Sequence, residues 1–150
     1  MANEPVSTSD DDAFLRKMAS GLAILGRVQF LPGYSLLISH VDGAERLSDL
    51  RRPERLQFLT DMDTLGEAVE RVCGRRDPSF RRVNLEIQGN LAPNLHAHVW
   101  PRYDWEPPSR VIRQVGRYPL WMWREATTAL SGRHHGLRDE LRQEISRLSM

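Results

Sequence analysis

Asn94-Leu95-His96-Ala97-His98-Val99-Trp100-Pro101-Arg102 alternates polar and apolar side chains over its first six positions. That period belongs to an extended strand, which sends successive side chains to opposite faces. Leu95, Ala97 and Val99 are therefore expected in a core, with Asn94, His96 and His98 together on the other face. Residues two apart on one face stand about 7 Å from each other, close enough to engage one small ligand such as a phosphate. Two imidazoles on a rigid strand can act as nucleophile, general acid or hydrogen-bond donor near neutral pH. The bland alternative is an exposed His-x-His on an edge strand, and the pair alone does not separate the two. Pro101 has no N–H to donate and is expected to end the ladder.

The flanking segments extend the pattern. Val83, Leu85 and Ile87 alternate with Asn84, Glu86 and Gln88 as a second strand, joined to the first by a turn over 89–93. Upstream, Leu56, Leu59, Met62, Leu65, Val69 and Val72 recur at three- and four-residue spacing, the stripe of a long amphipathic helix. Pro53 suits a first helical position, Glu54 favours that end, and Gly74 is expected to stop the helix. Further back, apolar runs at 22–30 and 35–39 flank Leu31-Pro32-Gly33-Tyr34, and Pro-Gly predicts a type II turn inside a β-hairpin. Residues 40–46 read as a loop. Residues 1–10 are polar and acidic and read as a disordered tail. Ser9 or Asp10 is expected to cap a short helix through Phe14, Leu15 and Met18 that Gly21 ends. After Pro101, residues 102–119 are irregular and aromatic, and 120–130 and 137–148 read as C-terminal helical segments. Residues 11–150 are thus expected to form one α+β domain with an antiparallel sheet.

Composition removes several classes. The 150 residues are 40% hydrophobic and 27% charged, with a net charge of +1. Nothing there favours nucleic acid or a membrane surface as partner. No window approaches the roughly 20 apolar residues of a membrane span, and no signal peptide is evident. A single cysteine, Cys73, excludes an internal disulfide framework and a cysteine-only zinc site. The cytoplasm is the expected compartment. A metal site at His96 and His98 is the first competitor, since His-x-His suits zinc when a third ligand arrives. The double-stranded β-helix metal proteins place a glutamate soon after such a pair. Here the next acids are Asp104 and Glu106, beyond Pro101, so no metal is assigned.

The run from Asn94 to Arg102 resembles the histidine triad (HIT) signature, His-φ-His-φ-His-φ-φ, often followed by Pro-Arg. The resemblance extends over about residues 22–102. Pro32-Gly33-Tyr34-Ser35-Leu36-Leu37-Ile38 resembles the family's second hairpin strand, and His40-Val41 with Leu47-Ser48-Asp49-Leu50 resembles the loop before its central helix. What the resemblance implies is an antiparallel sheet of about five strands, a long central helix and a homodimer. It also implies hydrolysis or transfer at the α-phosphate of a dinucleoside polyphosphate or a nucleoside phosphoramidate. By the same resemblance His96 is the nucleophile and His98 its catalytic neighbour. Asn94, Asn84, Gln88, Gly89, Asn90, Gln29 and His40 are the expected substrate-binding residues. Base and ribose are expected against Leu25, Phe30 and Leu36, with Gln29 reaching the ribose. No cofactor is required, though a divalent cation such as Mg²⁺ could accompany the substrate.

Two departures stand out. Asn94 occupies the place of the first triad histidine, where an amide can donate a hydrogen bond but cannot carry charge or pass a proton. Activity is expected to be reduced or altered, because the attacking nitrogen is retained. A non-catalytic nucleotide-binding module is the alternative, and a His-x-His metalloenzyme a weaker one. Tyr34 stands where many members have histidine. The remaining groups read as structural: Arg75, Arg76, Arg81 and Arg82 as surface charge, His134 and His135 as inert, Cys73 as buried. Trp100, Tyr103, Trp105, Trp121 and Trp123 read as core or subunit interface rather than a base-stacking platform.

Overall fold

A computed structural model describes residues 11–150. The expected tail and the capping roles of Ser9 and Asp10 lie outside the described residues. Five strands, β1 (Phe14–Lys17), β2 (Gly21–Leu25), β3 (Ser35–Ser39), β4 (Phe80–Glu86) and β5 (His96–Tyr103), form one antiparallel sheet in the order β1-β2-β3-β5-β4. Helices α1 (Arg52–Arg76), α2 (Pro108–Val111) and α3 (His135–Leu148) complete the regular structure.

The first strand replaces the short helix expected there. Asp11 Oδ1 accepts from Ala13 N at 2.8 Å, which turns the chain rather than capping a helix. The next residues pair with β2, a tertiary preference that overrides local propensity. Gly21 opens β2 instead of ending a helix. A Cβ there would lie 2.0 Å from the Ile38 carbonyl oxygen, so only glycine lets the two strands approach this closely. β2 ends at Leu25 and leaves a nine-residue connection to β3, within which the expected type II turn forms. Gly33 has φ +103°, and Tyr34 N bonds Leu31 O at 3.0 Å.

Helix α1 starts as expected, with Pro in the first turn and Arg51 N donating to Glu54 Oε2 at 3.1 Å. It runs through Gly74 to Arg76. The stop comes from Pro78, which pushes Asp77 out of the helical region to φ −140°, ψ 116°. The face buried against the sheet is Phe58, Leu65, Ala68, Val69, Val72 and Cys73, while Leu56 is half exposed. Opposite them lie Leu37, Ala97 and Val99, all fully buried. Helix α3 packs on α1 and β1 through Leu137, Leu141 and Ile145. Arg76–Glu140 and Arg71–Glu144 ion pairs, at 2.9 and 3.5 Å, tie the two helices.

β5 is an interior strand, flanked by β3 and β4, and it passes through Pro101 to Tyr103. Leu95 O accepts from Ser39 N, so the odd residues of this strand address β3. The β3 ladder ends at the Ser35–Val99 pair, so Pro101 faces β3 where no N–H is required. The even residues His96, His98, Trp100 and Arg102 occupy the face away from α1. Much of that face is covered by residues 105–134, in which α2 and several short 3₁₀ turns replace the longer helix expected at 120–130.

Candidate functional site

Alternation along β5 places His96 and His98 side by side, their ring centroids 4.9 Å apart and nearly perpendicular. His96 lies opposite Ile38 of β3. His98 lies between Leu36 of β3 and Glu86 of β4. His96 Nδ1 bonds the carbonyl oxygen of Asn94, two residues back and just before β5, at 2.6 Å. His98 Nδ1 bonds the Tyr34 hydroxyl at 2.8 Å. Neither ring's Nε2 is a buried nitrogen lacking a partner. Tyr34 stacks on Trp100 at 3.7 Å, and Trp123 meets the edge of Trp100 at 5.6 Å. Phe30 bridges Trp123 and Tyr118.

Burial, and then the charge of neighbouring His96, push the His98 pKa down from 6.5 to about 4. In the unfolded chain that imidazole takes a proton near pH 6.5, whereas in the fold it resists until about pH 4. The unfolded state therefore binds more protons between those values, and stability falls as pH falls through that window. The expected loss is up to about 3 kcal/mol. Urea midpoints measured from pH 7 to pH 4 check this: His98→Gln should show a shallower decline than wild type.

The other expected site residues divide by location. Asn94 precedes β5, and its Oδ1 is buried with no hydrogen-bond partner among the described residues. Gly89 takes φ +81° in the turn that returns the chain from β4, with Asn90 exposed beside it. Gln88 is exposed and donates to Glu86 Oε2 at 2.5 Å. His40 is exposed on the loop after β3. Asn84 shares the histidine face, but its Oδ1 accepts from Arg102 Nη1 at 2.9 Å. Gln29 is buried and its amide is consumed by the hairpin connection. It donates to Gly26 O and Tyr34 O and accepts from Gly33 N, each at 2.9 Å, so it braces the turn instead of reaching a ribose. Leu25 lies in the core under α1 and Phe30 in the aromatic cluster, so neither offers the open wall expected for a base.

Two groups at the site were visible in the sequence but not assigned to it. Glu86 is half-buried, directly across from His98, and its Oε2 accepts from Trp100 Nε1 at 3.2 Å. Alternation along β4 carried the signal, since Glu86 shares parity with Asn84. Tyr34 was visible only as a departure from a pattern, and its contact with His98 needs the tertiary fold. Among the described residues, no cluster of three or more His, Cys, Asp or Glu side chains could hold a metal. Arg75 and Arg76 pair with Glu144 and Glu140 of α3, and Arg81 pairs with Asp104 at 3.2 Å. His135 bonds Asp12 at 2.8 Å, and Cys73 is buried with its pKa pushed up to about 11 by burial.

No family model matches the sequence, and no curated protein matches it. Solved structures do. A histidine triad protein from Marinobacter aquaeolei VT8 superposes with a TM-score of 0.70 at 19% identity, over 90% of this chain and 89% of that one. A histidine triad protein from Sinorhizobium meliloti 1021 gives 0.69 at 14%, over 88% of both chains. A hypothetical histidine triad nucleotide-binding protein from Sulfolobus tokodaii strain7 gives 0.63 at 14%, over 91% of this chain and 85% of that one. The chain has the α+β fold of these histidine triad proteins.

Proposed function

We propose that this chain binds a nucleotide across the His96–His98 face and cleaves it at the α-phosphate, as a histidine triad hydrolase or transferase. The substrate is a dinucleoside polyphosphate of the diadenosine tetraphosphate type or a nucleoside phosphoramidate. The bond from His96 Nδ1 to the Asn94 carbonyl carries this reading. A carbonyl only accepts, so Nδ1 holds the proton and the neutral ring keeps its lone pair on Nε2. That lone pair attacks the α-phosphorus. A nitrogen–phosphorus bond forms, and the leaving group departs with its bonding pair and takes up a proton. Water then attacks phosphorus and gives up a proton to solvent, the nitrogen–phosphorus pair returns to Nε2, and the nucleoside monophosphate leaves. Charge spreads over the phosphoryl oxygens in both steps. Donors from His98, the Asn94 amide and the 89–93 turn stabilise it, with Gln88, Asn90 and His40 nearby.

No resident cofactor enters this scheme; a divalent cation such as Mg²⁺ would arrive with a polyphosphate. Support for the ligand class comes from the fold and from the Sulfolobus tokodaii neighbour, described as a hypothetical histidine triad nucleotide-binding protein. AMP release from diadenosine tetraphosphate and from an adenosine phosphoramidate tests the reading. Release that disappears in His96→Ala is the expected result. Tight nucleotide binding without turnover on either substrate, unchanged by His96→Ala, leaves a non-catalytic binding module. Asn94 is the residue that favours this second reading, because it cannot relay a proton.

The working unit is a homodimer joined along β4. Among the described residues that strand is a sheet edge with its outer ladder unpaired, and Leu85 is 43% exposed on it. Beside it runs a groove that places Arg82 next to the acidic Asp63, Glu67 and Glu70 of α1, charges that a twofold partner can match. Light scattering of wild type should give twice the chain mass and of Leu85→Lys the single-chain mass. A wild-type monomer overturns the dimer. No helix among the described residues is long and apolar enough to cross a membrane. The proposed setting is the cytoplasm, with a small nucleotide rather than nucleic acid or lipid as partner.

A further inference from the structure

Tyr34 is held unusually firmly for a residue at the end of a turn. Its carbonyl accepts from Gly26 N and from the Gln29 amide, each at 2.9 Å. Its ring lies flat on Trp100 and presses on Gly26, where a Cβ would stand only 2.1 Å from Cδ1. The hydroxyl is thereby carried to one place, 2.8 Å from His98 Nδ1. A phenol O–H is a more acidic donor than a neutral imidazole N–H, and an imidazole nitrogen accepts better than a phenol oxygen.

We propose that Tyr34 is a positioning residue: its hydroxyl donates to His98 Nδ1 and so fixes the tautomer that carries the His98 proton on Nε2. His98 then offers a neutral N–H to an oxyanion and does not serve as an imidazolium acid. Its surroundings agree. Among the described residues, the ionisable groups facing it are His96 on its own strand, Glu86 across on β4 and Tyr34 before β3. Burial and the Glu86 carboxylate raise the Tyr34 pKa far above its ordinary value, so the phenol keeps its proton. Burial also keeps His98 uncharged through the neutral range. A histidine at position 34 could become a second cation beside the phosphate; tyrosine cannot.

The tautomer does not depend on the proposed reaction, although its catalytic use does. Long-range ¹H–¹⁵N correlation spectra of the full chain with labelled histidine read it directly, His98 being assigned by its missing signals in His98→Gln. The expected wild-type pattern at pH 7.5 has Nε2 protonated and Nδ1 bare. In Tyr34→Phe it should give way to a mixture, with amide dispersion retained. A wild-type proton on Nδ1 overturns the proposal, as does a pattern unchanged by Tyr34→Phe. Should Tyr34→Phe fail to fold, the wild-type spectrum alone decides. With a substrate that turns over, Tyr34→Phe should lower kcat about tenfold at nearly unchanged KM. A fixed Nε2–H tautomer in a protein without turnover would retain this assignment while removing the hydrolase reading.

Discussion

His96→Ala should lower AMP release from both test substrates by at least about a thousandfold, with nucleotide affinity reduced far less. The imidazole sits at the start of β5 with 6% of its surface exposed, and its hydrogen bond among the described residues runs to the Asn94 carbonyl just before the strand. Truncation removes the attacking nitrogen and, because the ring is buried, also costs about 1–3 kcal/mol of stability, while Leu95 and Ala97 stay in the core. Steady-state assays on both substrates with a parallel urea titration separate the two effects. Equal turnover in variant and wild type would remove the covalent mechanism altogether. Asn94→His belongs with this test: if the asparagine is a weakened triad member, the restored imidazole should keep or raise the rate.

Glu106→Gln should destabilise the protein by about 3–5 kcal/mol, which at this chain length lowers Tm by roughly 10 °C. Arg102 and Glu106 are only 3% and 2% exposed. The guanidinium meets the carboxylate through Nε and Nη2 at 3.0–3.2 Å, and its remaining donors reach Asn84 and the carbonyls of Arg110, Val111 and Arg113. The carboxylate also accepts from Tyr103 N and the Tyr118 hydroxyl, both at 2.7 Å. Neutralising one member leaves the other charge buried without its counterion, which costs far more than the pair itself contributes. The Arg81–Asp104 pair at 3.2 Å is exposed on both sides and makes the control: Asp104→Asn should change stability by less than about 1 kcal/mol. Calorimetry of the two variants would show whether burial sets the difference, and equal Tm shifts would refute it. The same knot anchors residues 106–118 over the histidine face, so its loss should also loosen the cover of the site.

Much of this was readable from local pattern. Alternation named β5 and placed His96 and His98 on one side, because a strand has a fixed period of two. Three- and four-residue spacing marked α1, and Pro32-Gly33 marked the turn, since glycine takes positive φ at no steric cost. The acceptor for His96 Nδ1 was also foreseeable, because a backbone carbonyl two residues back lies within reach of the ring. Local reading failed where partners are remote. Residues 14–17 became a strand because β2 lay alongside. Pro101 stayed in β5 because the β3 ladder had already ended. Asn84 and Gln29 left the list of free site groups because Arg102 and the hairpin connection took up their amides. Strand period, helix period and turn chemistry depend on bonds within a few residues, so the amino-acid order settled them unaided. Whether a polar side chain is left over for a ligand depends on neighbours up to 64 residues away, as Tyr34 and His98 are, and packing alone decided that.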